Sequence, residues 1–365
     1  MSVTPNCVRI VFISLTLVGT QLIEAHFSAA VRGAVVEWRQ GYTFEDAVRQ
    51  LSDPNTLGAS LTPLIDHRLN QSGVPRPQLV AHAWSVPCVV LRSAFDASDL
   101  PDTPTDFCPV PDREGTLLAR ATAIGAIAAL GSNTVSYGCE NNGELFVNLV
   151  VIPGKGKKPE KSKKNMKGHT DGVWFPIRGE VHPFDPRVAP SPDFVCLCGL
   201  RNPDEVATKV MSLPDVINRL TLEEVEELKK SKYSIGPQGT YQDALIALYG
   251  RRDVSLSSAQ LLYTVAGDFW IRYSHSSVIP DDGDDAKGEH VIAAFESACL
   301  ECAQLHPIGP GDIALVNNRI ALHGRESVGD AYGGKTRWLM RTYALDTSEL
   351  NDTQRHPHSH HMLYP

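Results

Sequence analysis

Two short segments far apart in the chain carry residues that bind metals, and a shared site would require the fold to bring them together. The first is Gly168–Gly172, in which one residue separates His169 from Asp171. On a β-strand, side chains two positions apart point to the same face, so both could hold one ion. The second segment, Asn318–Arg325, contains His323. We therefore expect a strand carrying the first histidine to meet a distant strand carrying the second.

The order of residues after these segments strengthens a weak signal. With 13 His and 42 Asp and Glu in the chain, about one or two His-x-Asp or His-x-Glu pairs are expected by chance. Here, however, His323 is followed by two arginines, Arg337 and Arg341. Two histidines and one carboxylate form the facial triad of non-heme Fe(II) sites, which leaves coordination positions open for co-substrates and oxygen. The pattern favours such a metal centre.

Composition excludes some classes of protein. The 365 residues are enough to bury a core as one large domain or as two ordinary ones. A hydrophobic fraction of 42% and a charged fraction of 21% are typical of globular proteins. The formal net charge of -8 argues against a nucleic-acid partner, which normally binds a basic face.

Cysteine usage and the N-terminal residues indicate the compartment. Cys196 and Cys198 alternate within an apolar run that resembles a buried strand, which favours reduced thiols and a cytoplasmic protein. The apolar run Val8–Val18 has the length of a signal-peptide core but is too short to span a bilayer. We interpret it as a first strand, Val8–Leu15, followed by an amphipathic helix, Gln21–Trp38, and expect no membrane association.

The predicted secondary structure changes from mainly helical to strand-rich after the first third of the chain. Helices are predicted at Phe44–Leu51 and at the alanine-rich Leu117–Leu130, with a buried strand at Val89–Arg92 between them. From Glu144–Val151 onward, strand-like segments alternate with loops. We expect a single domain over residues 1–365. It comprises a mainly helical flank (1–135), a strand-rich core (136–345) and a tail (346–365).

A lysine-rich segment directly precedes the metal-binding motif. Gly154–Lys167 contains seven Lys and one Glu, which is typical of a solvated loop. Its position leaves a functional alternative open, namely a mobile lid over the site.

The motifs, taken in order, carry a family resemblance. The chain resembles the clavaminate synthase-like branch of the TauD-type Fe(II)/2-oxoglutarate oxygenases, from about Val89 to Leu345. The segments that carry this resemblance are Leu100–Pro104, Glu140–Leu145, His169–Asp171, Leu200–Thr208 and Asn317–Arg341. The chain differs from many amino-acid hydroxylases of the branch in having Asp171 where they have Glu.

The resemblance implies a fold and a set of roles. The fold would be α+β, a distorted double-stranded β-helix (jelly roll) with flanking helices. Fe(II) would be held by His169, Asp171 and His323. The co-substrate 2-oxoglutarate would be bound by Arg337 and Thr208. The substrate would be bound by Arg341, Glu140 and Asn141.

The implied activity is hydroxylation of an unactivated C–H bond with O2, releasing succinate and CO2. The substrate class would be a free amino acid or a small amino-acid derivative. Desaturation, epoxidation or cyclisation in a biosynthetic pathway would use the same residues and stays an alternative. A zinc hydrolase would have no need of Arg337, and a non-catalytic jelly-roll binding protein would have little reason to keep all three ligands.

The sequence also suggests what the substrate is not. Arginine-specific relatives carry an acidic pair on a late strand, whereas the comparable stretch here, Ile271–Ser276, contains no acid. We therefore expect a neutral or polar substrate side chain rather than a bare guanidinium group.

Overall fold

The computed structural model describes the backbone of residues 5–365 and the side chains of residues 19–156 and 158–365. The helices are α1 (Pro5–Gln40), α2 (Phe44–Gln50), α3 (Pro54–Gln71), α4 (Arg76–Ser85), α5 (Glu114–Ala129), α6 (Lys157–Lys163), α7 (Leu213–Ile217), α8 (Leu222–Leu228), α9 (Gly239–Tyr249) and α10 (Ala286–Glu301). Short 3-10 turns lie at Asn141–Gly143 and Asp352–Gln354.

Most strands fall in the second part of the chain. They are β1 (Cys88–Leu91), β2 (Asn133–Tyr137), β3 (Val147–Leu149), β4 (Met166–His169), β5 (Phe194–Arg201), β6 (Ala207–Ser212), β7 (Tyr233–Ile235), β8 (Leu256–Ala259), β9 (Leu262–Val265), β10 (Asp268–Ile271), β11 (Val278–Pro280), β12 (Ala303–Pro307), β13 (Ile313–Asn317), β14 (Ala321–Arg325), β15 (Trp338–Leu345) and β16 (Met362–Leu363).

Two sheets frame the centre of the protein. The larger has seven strands in the order β1-β13-β5-β15-β2-β16, with β3 also paired to β15. The smaller has four, in the order β12-β6-β14-β4. Two further small sheets are formed by β11-β7-β8 and by β10-β9.

The larger sheet is buried on both faces, which explains its nearly continuous apolar runs. On β5, Cys196 and Cys198 face a core shared with the helices of the first third of the chain. The intervening residues Val195 and Leu197 face a second core, to which Val210 of the smaller sheet also contributes. The period of two along β5 thus separates a helix-facing layer from a layer between the sheets.

The helical part packs as its sequence pattern predicts. On α3, the residues Leu57, Leu61, Ile65 and Leu69 recur at helical spacing, and all four are buried. The alanine-rich α5 packs between α3 and β5, so nearly all of its length is buried.

Several predicted elements are confirmed. Helix α2 matches the predicted helix Phe44–Leu51, and α5 matches Leu117–Leu130. Strand β1 corresponds to Val89–Arg92, with Val89 and Leu91 buried.

The predicted strand Val8–Leu15 is wrong, because α1 is one continuous helix that includes both these residues and Gln21–Trp38. A short continuous apolar run does not distinguish a strand from a helix, and no turn residue other than Gly19 separates the two predicted elements. Among the described residues, no helix is long and apolar enough to cross a membrane.

Two other predictions need correction. Of the predicted strand Glu144–Val151, only the part that forms β3 pairs with a neighbouring strand. The residues between the turn Asn141–Gly143 and β3 are not paired. The lysine-rich segment Gly154–Lys167 is not wholly a loop, since it contains α6 and the start of β4.

The end of the chain is paired rather than free. Strand β16 runs parallel to β2, with Met362 opposite Ser136 and Leu363 opposite Tyr137. Leu363 is buried, whereas the preceding His356, His358 and His360 are exposed. We call residues 361–365 the C-terminal strap.

The close approach of β14 to β4 gives a testable prediction about stability. A Cβ added at Gly324 would collide with the backbone of Met166 and Lys167, which cannot move without disturbing the pairing. We expect Gly324→Ala to lower the free energy of unfolding by roughly 1–3 kcal/mol, as overpacking does. Urea unfolding measures this change.

A matched control is Gly283→Ala, because nothing lies within 4 Å of a Cβ at that position. The control should change stability by no more than about 0.5 kcal/mol, as is usual for surface substitutions. Equal stability of the two variants would contradict the predicted backbone collision.

Candidate active site

Three potential metal ligands meet where β4 pairs with β14. In this antiparallel pair His323 lies directly opposite His169, and Asp171 follows just after β4. The two imidazole centroids are 4.4 Å apart. Nε2 of His169 is 3.4 Å from Oδ1 of Asp171, and Nε2 of His323 is 3.7 Å from Oδ2. One donor atom from each residue lies within 4.8 Å of the other two, so the set could hold a metal ion.

The two histidines can each present a ring nitrogen to a divalent cation. Nδ1 of His169 is 3.0 Å from the carbonyl oxygen of Lys167, which leaves Nε2 free to bind a metal. Burial, together with the neighbouring His169, lowers the pKa of His323 to about 3, so its imidazole is neutral near pH 7. Nδ1 of His323 is buried and has no hydrogen-bond partner in the described part of the chain.

Asp171 is charged in this setting. Burial raises the pKa of its carboxyl group, but His169, His323 and Arg341 outweigh that effect and hold the pKa well below its usual range. Two imidazoles and one carboxylate are a donor set suited to Fe(II).

Two side-chain amides fix the backbone on both sides of the Asp171 carboxylate. Asn318 accepts from the Asp171 N–H at 2.8 Å and donates to the Asp171 carbonyl oxygen at 2.9 Å. Gln238 donates to the carbonyl oxygen of Thr170 and accepts from the N–H of Gly172, both at 3.0 Å. These bonds satisfy buried backbone groups and orient the carboxylate towards the histidines.

A cavity of about 270 Å³ opens in front of the three ligands. Both sheets contribute to its wall, through residues such as Leu197 and Leu339 of the larger sheet and Thr208 of the smaller one. The predicted residues Arg337, Arg341 and Asn141 also line it. The two arginines therefore share one side of the chain, as an even separation on an extended segment requires.

Arg337 lies just before β15 and is buried. Burial, and then the neighbouring Arg325, lower its pKa to about 9. Its Nε has no hydrogen-bond partner among the described residues, so the guanidinium group can bind an anion in the cavity. Thr208 lies on β6 and lines the same cavity.

Arg341 and Glu140 form a buried ion pair beside the ligands. Nη2 of Arg341 is 2.7 Å from Oε2 of Glu140, and Nη1 is 3.6 Å from Oδ2 of Asp171. Nε of Arg341 and Oε1 of Glu140 are buried and lack partners within the described chain. The pair thus offers one unused donor and one unused acceptor.

The turn after Glu140 is held in an uncommon conformation. Asn141, Asn142 and Gly143 have φ values of 47°, 59° and 76°, the left-handed region that non-glycine residues rarely adopt. Such a turn persists only when its surroundings hold it. The C-terminal strap supplies part of this support.

Three contacts link the strap to the turn. The Cys139 N–H donates to the carbonyl oxygen of Pro365 at 2.9 Å. Oγ of Ser136 donates to the Gly143 carbonyl oxygen at 2.7 Å and is 2.9 Å from Nδ1 of His361. A side chain at Gly143 would also collide with Met362.

Sequence reasoning missed several residues around the cavity. Asp243 and Gln242 of α9 line it and had no predicted role. Lys158 and Lys161 of α6 also line it, and they belong to the lysine-rich segment for which a lid was one alternative. Gln238 also had no predicted role, because a single glutamine before a helix carries no recognisable pattern. Asn318 was noticed only as part of its segment, and its bonds to Asp171 depend on a long-range contact.

The chain matches known proteins over most of its length. Residues 107–343 match the family model described as taurine catabolism dioxygenase TauD, TfdA family. The chain belongs to this family. It is therefore an Fe(II)- and 2-oxoglutarate-dependent dioxygenase, and the resemblance inferred from its motifs is confirmed.

Curated relatives of this dioxygenase include amino-acid oxygenases. Enduracididine beta-hydroxylase from Streptomyces hygroscopicus is 26% identical over 276 residues, covering 69% of this chain and 74% of that protein. L-asparagine oxygenase from Streptomyces coelicolor is 26% identical over 260 residues, covering 70% of each protein.

Solved structures share the fold. The structure of asparagine oxygenase in complex with Fe(II), 2S,3S-3-hydroxyasparagine and succinate aligns with a TM-score of 0.69 at 20% identity, covering 93% of this chain and 97% of that one. The non-heme iron oxygenase OrfP, in complex with Fe, succinate and (3R,4R)-dihydroxy-L-Arg, aligns with a TM-score of 0.70 at 20% identity, covering 92% and 97%. The mixed helix-and-sheet architecture of the dioxygenase is thus a known one.

The geometry of the three ligands predicts the effect of removing one. We expect His169→Ala or His323→Ala to abolish tight Fe(II) binding and succinate formation while leaving the protein folded, because each would supply one of three protein ligands. Anaerobic Fe(II) titration and circular dichroism measure these effects.

The exposed His290, on α10, provides a control, since His290→Ala should bind iron as the wild type does. Wild-type iron affinity in either ligand variant would show that the site is wrongly assigned.

Proposed function

We propose that this dioxygenase hydroxylates an unactivated C–H bond of a free amino acid or small amino-acid derivative. The observation that carries the proposal is the buried Arg341–Glu140 pair, 2.7 Å apart, next to Asp171. An amino acid offers a carboxylate and an ammonium group on adjacent atoms. The free Nε of Arg341 suits the carboxylate, and the free Oε1 of Glu140 suits the ammonium group.

In this proposal His169, Asp171 and His323 hold Fe(II). The bound iron, with 2-oxoglutarate and O2, supplies the oxidising chemistry, in which one oxygen atom enters the product hydroxyl group and the other enters succinate as CO2 leaves. The chain itself positions the ligands through Asn318 and Gln238 and surrounds the C–H bond with the cavity wall.

Arg337 would bind the distal carboxylate of 2-oxoglutarate. A guanidinium group matches a carboxylate with two parallel hydrogen bonds and stays charged at neutral pH. Arg337 is buried and its Nε lacks a protein partner, which supports this role. The Thr208 hydroxyl would assist from β6.

The relatives support an amino-acid substrate without identifying it. Their names include an enduracididine beta-hydroxylase, an L-asparagine oxygenase and an L-lysine 3-hydroxylase from Catenulispora acidiphila. We propose that the substrate side chain is neutral or polar. Asp171 and Glu140 both contact Arg341, and Asp243 is exposed to solvent rather than enclosed around a guanidinium group.

The remaining parts of the proposal concern organisation. We propose one oxygenase domain over residues 1–365, in which the two central sheets form a distorted jelly roll and residues 1–135 flank it. We also propose a cytoplasmic enzyme whose partner is its small-molecule substrate. Free Cys196 and Cys198, both buried, are consistent with a reducing compartment.

The two arginines predict separable binding defects. We expect Arg337→Ala to weaken 2-oxoglutarate binding by roughly 10- to 100-fold, the worth of a charge-assisted hydrogen bond. Iron binding should change little, because Arg337 is not a ligand. The dissociation constants of 2-oxoglutarate and of Fe(II) can both be measured by anaerobic titration, with the weak visible absorption band of the Fe(II)–2-oxoglutarate complex as the signal.

Arg341→Ala serves as the comparison, since it should still bind 2-oxoglutarate with wild-type affinity but should no longer bind the amino acid. If Arg341→Ala carried the whole 2-oxoglutarate defect instead, the two roles would be exchanged.

The substrate proposal predicts the outcome of a ligand screen. With an inert divalent metal and 2-oxoglutarate present, thermal-shift measurements over the common amino acids should show stabilisation by a few neutral or polar ones. The effect should disappear in Arg341→Ala, because the carboxylate would lose its partner.

Two results would count against this proposal. Strong Arg341-dependent stabilisation by arginine would contradict the proposed side-chain preference. A best ligand without a carboxylate would contradict the role of the Arg341–Glu140 pair.

A further inference from the structure

Two arginines on the cavity wall form no ion pair with any acid in the described part of the chain. Arg325 and Arg337 both line the cavity and lie close enough to repel each other. Nη1 of Arg325 and Nε of Arg337 are buried without a hydrogen-bond partner among the described residues. By contrast, Arg341 pairs with Glu140. An unpaired buried donor is unfavourable, so an anion that reaches both arginines would be favoured.

The position of Arg325 in the sheet directs its side chain towards the cavity. It lies on β14 two residues after His323, so both side chains point to the same face. Its partner across the neighbouring strand β6 is Thr208, which also lines the cavity.

The same guanidinium group holds the lysine-rich helix α6. Nη2 of Arg325 donates to the carbonyl oxygens of Lys161 and Lys164, at 3.1 and 3.2 Å. These carbonyl groups lie at the end of α6, where the last turn of a helix leaves its acceptors without intrahelical partners. One side chain therefore touches both the cavity and the helix that carries Lys158 and Lys161 to the cavity wall.

We propose that Arg325 is a second guanidinium group for the distal carboxylate of 2-oxoglutarate, and that binding the carboxylate fixes α6 beside the cavity. The inference rests on the proposed function, because it assumes that 2-oxoglutarate enters this cavity. The carboxylate would accept from Nη1, while Nη2 would remain on the two helix carbonyl groups.

The two contacts of Arg325 are then coupled. A guanidinium group that is held by an anion has fewer orientations to lose when it binds the helix, and the reverse also holds. Because such coupling is reciprocal, 2-oxoglutarate should order α6, and loss of the α6 contact should weaken 2-oxoglutarate binding.

The first experiment measures binding by isothermal titration calorimetry with Zn(II) in place of iron. We expect Arg325→Gln to weaken 2-oxoglutarate binding by roughly 10-fold or more. Oxalate can chelate the metal but has no distal carboxylate, so its affinity should be the same in wild type and variant. Arg219→Gln is the matched control, because Arg219 forms an exposed ion pair with Glu301 and does not line the cavity.

The second experiment uses the lysines as reporters of α6. Trypsin digestion of the Zn(II) protein, followed by mass spectrometry, measures cleavage after Lys161, Lys163 and Lys164. We expect 2-oxoglutarate to slow this cleavage in the wild type and in Arg219→Gln, but not in Arg325→Gln. Arg325→Lys keeps the charge but lacks the planar fork, so it should bind 2-oxoglutarate better than Arg325→Gln without restoring full protection.

The outcomes separate this inference from the proposed function. Wild-type affinity for 2-oxoglutarate in Arg325→Gln would overturn the role in co-substrate binding. Ligand-dependent protection that persists in Arg325→Gln would overturn the link to α6. If the wild type itself failed to bind 2-oxoglutarate, the proposed function would fail and the inference with it. If Arg325→Gln does not fold, as judged by circular dichroism, the comparison of Arg325→Lys with wild type decides both points.

Discussion

The pairing of β14 with β4 is the contact on which the site depends. It brings together strands from distant parts of the chain and places His323 directly opposite His169. Because a shift of one residue in register would turn every side chain to the other face, the position of the pairing matters as much as its existence. Gly324 allows the two backbones to approach, and Asn318 then fixes Asp171 beside the two histidines.

Charge is distributed unevenly around the cavity, and this distribution separates two kinds of arginine. Arg341 on the cavity wall and Arg319 elsewhere in the core are buried in ion pairs with Glu140 and Asp193, so an acid of the protein balances each charge. Arg325 and Arg337 instead form no ion pair with an acid among the described residues. A buried cation of this kind lowers stability, which is a common property of binding sites whose ligand completes the electrostatics.

The chemistry of the site was easier to predict from sequence than the surroundings that position it. The meeting of His169, Asp171 and His323 was predictable because few side-chain types bind metal ions and because their spacing suits strands. Gln238 was not, since its role arises from hydrogen bonds to Thr170 and Gly172 that only the folded chain creates. The helix over residues 8–15 was not predicted for a related reason. A short apolar run is compatible with both a helix and a strand, so it does not identify the backbone conformation.

The C-terminal strap also bears on the order in which the protein can be completed during synthesis. The turn at Asn141–Gly143 is made early, yet its left-handed backbone is supported by Met362 and by the carbonyl group of Pro365. The strap residues are synthesised long after the turn, when nearly all strands of both sheets have already been made. The part of the pocket nearest Glu140 can therefore acquire its final shape only once the strap is present, whereas the helical flank can fold much earlier.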